Sequence, residues 1–590
     1  MYGDWAAGIA AKDDSAVGDN QVIPARSERF GLQVPCARSR DSADLDLRPK
    51  SVARWLGELP LADAQQSAGH IAALLNASNA AELAPPLRFR LAEQLRTPVL
   101  SLADSLSREV TLRGFPLPRR ALPLAAQGRA LLSALTDSYK SIVVQLLAAA
   151  DKGDPDFLAH SIHRALWVLQ RALQFDYELY APPTTGYWAE VHHLYRLAEQ
   201  AGIEQRSVVD ALHPQGRDSV SLAYRSLVLV ALSNPYRLRP DDLSRLPGLA
   251  VRYCADIRLE PAAPDTLEFH VLLDSDRPPT LGAPTADARR VDLSAAVRQA
   301  TRDLREGDNE LLRRVLSDWR HPPRRQFGRQ PHHGWTRVVF GLDAACWAME
   351  QTGAANRSPR IDGQASMALT AYAPDQHGAA HAGRDNDNSR HFAAALPAAI
   401  SQGDRRRSVP LPEPVYREHT LATLDVSDEG CCLLWEDSGP APANADNLLG
   451  LWDEVTGRWS IGILRWMQYL RTRGVRLGLQ MIAPRAEPAR IQRGDRSEPA
   501  LHLPSHEAQA ASLLTGAHQF RVGNVVRLSL SERTLHVRLR EILEANRSFV
   551  RFAYEVLAEV TSRAHDADDG PEATALGAPD IQYTQENWDG

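Results

Sequence analysis

The period of the apolar residues changes along this chain, and that change limits what it can fold into. In the first half, apolar positions recur every three or four residues. Leu131, Leu135, Tyr139, Ile142 and Leu146 fall on one helix face, and Ile162, Leu166, Leu169 and Leu173 repeat the pattern. A further helix runs from Tyr187 to Gln200. Another spans about Val220 to Ser233 and stops at Asn234-Pro235, because the residue before proline avoids the helical region. Beyond Arg324 the pattern shifts towards period two. Strands are expected at Trp335–Leu342, Arg417–Leu424, Cys431–Trp435, Leu448–Trp452, Ser460–Met467 and Val475–Ile482, and then at Val522–Leu530, Leu535–Leu543 and Phe549–Val556. The fold class is therefore multidomain α+β: a helical N-terminal domain, an antiparallel β-barrel and a small C-terminal β unit.

The expected organisation follows. Residues 1–45 are polar, lack a period and read as disordered. Residues 46–250 form the helical domain, and 251–320 form a connector. In the connector, strands at Val251–Leu259 and Leu267–Leu273 precede one helix, Leu293–Trp319. The β-barrel occupies 321–485. It is interrupted at 351–410 by a stretch rich in Ala, Gly, Asp, Asn, Ser and Arg, read as a flexible insertion with a short helix at His391–Ile400. The small β unit spans 499–562, and 563–590 is a disordered tail. Trp188, Tyr195 and Ala198 loosely echo a tetratricopeptide helix, but no 34-residue repeat accompanies them.

Composition excludes several classes of function. The net charge of −6 offers no overall basic field for nucleic acid. The longest apolar runs, such as Ile142–Ala150, fall short of the ~20 residues a membrane span needs. The start, Met1-Tyr2-Gly3-Asp4, lacks the basic and apolar blocks of a secretory signal, so the expected location is cytoplasmic. Cys36, Cys254, Cys346, Cys431 and Cys432 have no CxxC spacing and suggest neither disulfides nor zinc. His160, His163, His192, His193, His321, His332 and His333 show no carboxylate or cysteine partners, so no metal site is expected. The GxxxxGK[ST], HExxH and GxSxG patterns are absent, and no nucleophile–base constellation points to an enzyme. Nearly all the positive charge is arginine, with lysine only at positions 12, 50, 140 and 152. Arginine matters here because its planar fork suits phosphate and guanine.

Two short segments carry binding chemistry. Arg324-Arg325-Gln326-Phe327-Gly328-Arg329 contains an RxxxR in Arg325 and Arg329. Asp425-Val426-Ser427-Asp428-Glu429-Gly430, between two expected strands, contains a DxSxxG in Asp425, Ser427 and Gly430. Arginines on a mobile segment can hold phosphates bidentately or pair with the O6/N7 edge of guanine. An aspartate and a serine at a strand end offer an acceptor and a hydroxyl to a purine edge. Gly430 allows a tight turn and close backbone approach.

Together with the strands Trp459–Trp466 and Val475–Leu479, these segments resemble the PilZ family of cyclic di-GMP receptors over about 324–483. In that family an RxxxR segment precedes a six-stranded barrel that carries a [D/N]xSxxG motif on its surface. The resemblance implies cyclic di-GMP as ligand, with Arg324, Arg325, Arg329, Asp425, Ser427 and Gly430 in its site. It also implies a reader of the nucleotide, since the GGDEF and EAL signatures of the synthesising and degrading enzymes are missing. The 96 positions between Arg329 and Asp425 exceed the usual spacing. Arg405-Arg406-Arg407 lies nearer and is the alternative source of phosphate-binding arginines, without the RxxxR spacing. On this reading the helical domain engages a protein partner. The rival reading is a constitutive adaptor whose degenerate barrel binds no nucleotide.

Overall fold

The computed structural model describes residues 26–561 except 37–45, 61–62, 114, 116, 150–153, 214–215, 263–266, 284–287, 308, 323–327, 358–415, 428, 437–446, 455, 471–473, 507–508, 518 and 532. A hairpin, β1 (Arg26–Arg29) and β2 (Leu32–Pro35), precedes eight helices: α1 (Pro49–Glu58), α2 (Ala64–Ala80), α3 (Pro85–Thr111), α4 (Leu122–Ala148), α5 (Pro155–Glu178), α6 (Tyr187–Gln200), α7 (Val220–Leu232) and α8 (Pro240–Tyr253). A two-stranded ladder, β3 (Val208–Val209) and β4 (Arg217–Asp218), sits between α6 and α7. The expected stripe on α4 is real: Leu131, Leu135, Tyr139 and Ile142 are all fully buried. Ser219 caps α7 by accepting from the Leu222 amide. Asn234 then takes a left-handed conformation before Pro235, ending the helix where the sequence indicated.

Three expectations for this half change. Residues 1–45 are not uniformly without structure, because the β1–β2 hairpin buries Leu32 and Val34. Arg26 of this hairpin pairs with Asp137 of α4 at 2.5 Å. Eight paired residues with two buried apolar side chains are too short a pattern to register as a period. The strand expected from Val251 is instead the end of α8, and extended backbone begins only at β5 (Arg258–Pro261). It joins β6 (Glu268–Val271), β7 (Thr280–Gly282) and β8 (Arg289–Asp292) in a four-stranded sheet of order β5-β8-β6-β7. The single helix expected at Leu293–Trp319 is two, α9 (Ser294–Glu306) and α10 (Glu310–Arg320). The chain breaks at Gly307, and Asn309 caps α10 through the Leu312 amide.

Two closed six-stranded barrels follow. The first contains β9 (Gln330–Phe340), β10 (His419–Ser427), β11 (Gly430–Trp435), β12 (Leu448–Asp453), β13 (Arg458–Leu470) and β14 (Gly474–Ala483), in the order β10-β11-β14-β13-β12-β9. The strand expected at Trp335–Leu342 starts five residues earlier. Leu342 instead opens a helix, α11 (Leu342–Arg357), which takes up the start of the stretch read as a flexible insertion. Residues 358–415, including the expected helix at His391–Ile400, lie outside the described residues. The second barrel is β15 (Glu487–Arg493), β16 (Arg496–Leu503), β17 (Ser512–Gly516), β18 (Val525–Ser529), β19 (Arg533–Ala545) and β20 (Phe549–Thr561), in the order β15-β16-β17-β20-β19-β18. The small unit is thus a complete barrel, closed by three strands that the sequence reading had not assigned.

Packing joins the parts. The inside of the first barrel, including Leu433, Leu464, Met467 and Leu477, continues the core of the helical domain. The Tyr469 amide donates to the Tyr180 carbonyl at 2.7 Å across that junction. The short side of α11 (Ala344, Ala345, Ala348) wedges between the barrels, against Leu448, Trp459, Ile461 and Ile463 of one and Leu501, Leu503, Leu514 and Phe549 of the other. Small residues on that face let backbone and barrel approach closely. Thr352 fixes the wedge by accepting from Trp459 Nε1 at 3.0 Å.

Candidate functional site

The two motifs, 96 positions apart in sequence, are neighbours in the fold. Arg329 stands immediately before β9, and Asp425 lies on β10, the next strand of the barrel. Asp425 pairs with Pro331, and Val426 with Gln330. A bulge after Thr423 shifts the register there and turns Asp425 towards the start of β9. Arg329 Nη1 donates to Asp425 Oδ1 at 2.6 Å, with the two side chains 26% and 21% exposed. The pair is therefore half-buried and can still be reached from solvent.

The rest of DxSxxG shapes the rim beside this pair. Asp425 and Ser427 belong to β10 and Gly430 to β11, so the motif is the hairpin itself and not a loop between strands. Ser427 Oγ donates to the Gly430 carbonyl at 3.1 Å, leaving its oxygen lone pairs to accept. The Glu429 carbonyl accepts from the Met481 amide at 2.8 Å. Gly430 is needed here for proximity. A Cβ there would lie closer than 3.0 Å to the Leu479 carbonyl oxygen on the neighbouring strand. Its φ is not positive, so close backbone approach, rather than turn conformation, fixes the residue type.

Strand pairing places these residues on one face. Asp425 is opposite Cys432, Cys432 opposite Gly478, and Gly478 opposite Trp466. In the adjoining rows Ser427 faces Gly430 and Gly430 faces Gln480, while Leu434 faces Arg476. Directly paired residues share a face. The buried Leu421, Leu433 and Leu477 point the other way, into the barrel, so this face is the outside. The DxSxxG motif marks only the Asp425–Gly430 edge of it. Trp466, Arg476 and Gly478 carry no motif of their own, and only the pairing register brings them into line.

Several groups are excluded from chemistry. Burial pushes the Cys431 thiol up to about 12 and raises that of Cys432, so neither is a ready nucleophile. Among the described residues no cluster of His, Cys, Asp or Glu could hold a metal ion. Of the histidines named from the sequence, His163 does have a carboxylate partner, contrary to expectation: its Nε2 lies 2.9 Å from Asp218 Oδ2, buried in the helical domain. Burial outweighs that carboxylate and holds His163 below the ordinary histidine value. Arg324, Arg325 and the alternative arginines 405–407 lie outside the described residues, so of the proposed arginines only Arg329 is placed.

Comparison with known proteins covers nearly the whole described chain. Residues 50–264 match the family model for the N-terminal domain of the cyclic-di-GMP receptor FimW, 289–488 its middle PilZ domain, and 487–557 its C-terminal β-barrel domain. The cyclic-di-GMP receptor FimW of Pseudomonas aeruginosa is 26% identical over 577 residues, covering 90% of this chain and 94% of that protein. No solved structure matches. Matched in order through all three domains, and carrying the barrel and paired motifs described above, the chain belongs to the FimW family of PilZ-containing receptors.

Proposed function

We infer that this chain is a receptor for cyclic di-GMP. The observation that carries this reading is the meeting of Arg329 with Asp425 at 2.6 Å on the outer barrel face, beside Ser427 and Gly430. Guanidinium, carboxylate and hydroxyl then stand together at one rim, the set needed for a ligand that presents both phosphates and guanine edges. Arg324 and Arg325, just upstream, would add donors for the second phosphate. The protein reads the nucleotide and does not transform it. Family resemblance supports a cytoplasmic site of action, and among the described residues no helix is long and apolar enough to cross a membrane.

Binding would be transmitted through the body of the protein. The barrel core is continuous with the helical core, and Arg465 reaches Glu544 of the second barrel at 2.8 Å. A change at the Arg329 segment is therefore felt by the helical domain, whose surface engages a protein partner. Calorimetric titration tests the reading: cyclic di-GMP should bind at micromolar or tighter, about −8 kcal/mol, with GTP and cyclic AMP far weaker. A flat titration at about a millimolar ligand would leave the constitutive adaptor as the better account.

A further inference from the structure

We propose that Trp466 and Arg476 form a second purine subsite on the outer face of the first barrel, with the indole stacking on the ring and the guanidinium bonding its O6/N7 edge. This rests on the receptor reading above and extends the site across four strands. Asp425, Cys432, Gly478 and Trp466 make one continuous cross-strand row. Strands lie about 4.8 Å apart, so the backbones of Asp425 and Trp466 are separated by roughly 14 Å, a span that suits a flat ligand carrying two purines.

The floor of this row is low. Cys432 is fully buried and Gly478 has no side chain. The Trp466 indole lies over Gly478: a Cβ on that glycine would come closer than 3.0 Å to indole atoms Cε2, Nε1 and Cδ2. The indole is therefore laid along the sheet, one face down on the glycine, and the side chain stays half-exposed. A flat, upward-facing aromatic surface is what base stacking uses. Arg476 flanks it, with Cζ 6.0 Å from the Trp466 ring centroid. Its Nε is buried, and the guanidinium lies beside the Cys432 thiol on the floor of the row. The terminal nitrogens of its planar fork are the donors that the O6/N7 edge of a guanine can pair with. Arg465 closes the far corner, donating from Nε to Gln480 Oε1 at 2.8 Å and from Nη2 to Glu544 of the second barrel at 2.8 Å. One purine would sit at Asp425 and Ser427, and the other at Trp466 and Arg476.

The test is calorimetry with cyclic di-GMP on the full chain and on Trp466→Ala, Trp466→Phe, Arg476→Ala and Arg476→Lys, with circular dichroism confirming the fold of each. Trp466→Ala and Arg476→Ala should raise Kd roughly 5- to 100-fold, the range for losing one stacked base. Trp466→Phe should retain most of the affinity, and Arg476→Lys should not, because lysine lacks the fork. If Trp466→Ala fails to fold because the indole covers Gly478, Arg476→Ala decides. Folded Trp466 and Arg476 variants with wild-type affinity would overturn the subsite while leaving the receptor reading intact. A wild-type chain that binds no cyclic di-GMP would overturn both.

Discussion

Arg329 and Asp425 hold each other, so removing one changes what the other can do. A double-mutant cycle on nucleotide binding makes this measurable. If Arg329 grips a phosphate as proposed, Arg329→Ala removes a charge-assisted hydrogen bond and costs about 1.5–3 kcal/mol. That corresponds to about a 10- to 150-fold rise in Kd. Asp425→Ala removes an acceptor for the purine edge, about 1 kcal/mol on its own. It also releases Arg329 from the 2.6 Å bond that aims it across the start of β9. With both side chains about a quarter exposed, solvent screens the pair, and its own contribution to stability should stay near about 1 kcal/mol or less. Thermal unfolding of either single variant should therefore move little. If Asp425 positions Arg329, its substitution should matter less once Arg329 is gone, and the cycle should show a coupling of about 0.5–1 kcal/mol. Calorimetric Kd values for the four proteins measure this. Losses that add to within about 0.3 kcal/mol would show that the two residues bind the ligand independently, and would refute the positioning argument.

Other perturbations separate the remaining claims. Arg325→Ala should weaken cyclic di-GMP binding by about 1.5–3 kcal/mol, while the triple alanine variant at 405, 406 and 407 should bind normally; the opposite result by titration would move the phosphate site to the triplet. Gly430→Ala should destabilise the barrel, because its Cβ would collide with the Leu479 carbonyl across β11–β14; an unchanged melting temperature would contradict that geometry. Burial holds His163 and His192 below 6.5, so the unfolded chain takes up protons first as pH falls through 6.5. Their contribution to stability is complete above that pH and is lost below it, at up to about 1.4 kcal/mol per pH unit for each group. Urea unfolding between pH 7.5 and 5.5 should show this slope, and His163→Gln should flatten it. Replacing 360–410 with a Gly/Ser linker should preserve folding and binding, whereas a deletion starting at 351 should destabilise the protein, since it removes the Thr352 hydroxyl that accepts from Trp459.

What could be read from the sequence follows physical range. The α4 stripe and the Ser219 and Asn234-Pro235 boundaries of α7 are local signals, and the structure follows them. The β1–β2 hairpin, the break at Gly307 and the three opening strands of the second barrel were missed. The break is a local signal, Gly307 followed by the Asn309 cap, that the apolar period runs across; in the hairpin tertiary burial outweighs any pattern in a short window, since Leu32 and Val34 are buried only because α4 and α6 lie beneath them. At the site, the two motifs were legible as chemistry, but their pairing was not. Only closure of the barrel, with β9 hydrogen-bonded to β10 across the long intervening segment, sets Arg329 against Asp425. In the sequence Trp466, Gly478 and Arg476 read only as strand residues, and nothing in their spacing says that Gly478 faces Cys432 on one side and Trp466 on the other.

The long separation between the motifs has a structural consequence. In a barrel of order β10-β11-β14-β13-β12-β9, the chain between β9 and β10 can be lengthened at little entropic cost, because loop closure grows only slowly with length. Part of that added length is α11. It packs on the outside of β9 and β12 and wedges against the second barrel through Ala345, Ala348 and Met349. The same insertion that separates Arg329 from Asp425 in sequence thus attaches the second barrel to the first. The outer face that carries Asp425 and Trp466 meets that second barrel again at Arg465–Glu544. Val339 of β9 lies beneath α11, and Arg465 of β13 reaches the second barrel directly, so the two barrels are tied together at two separate places. If the Arg329–Asp425 rim binds the ligand as proposed, the C-terminal barrel, as well as the helical domain, is linked to it through packed contacts.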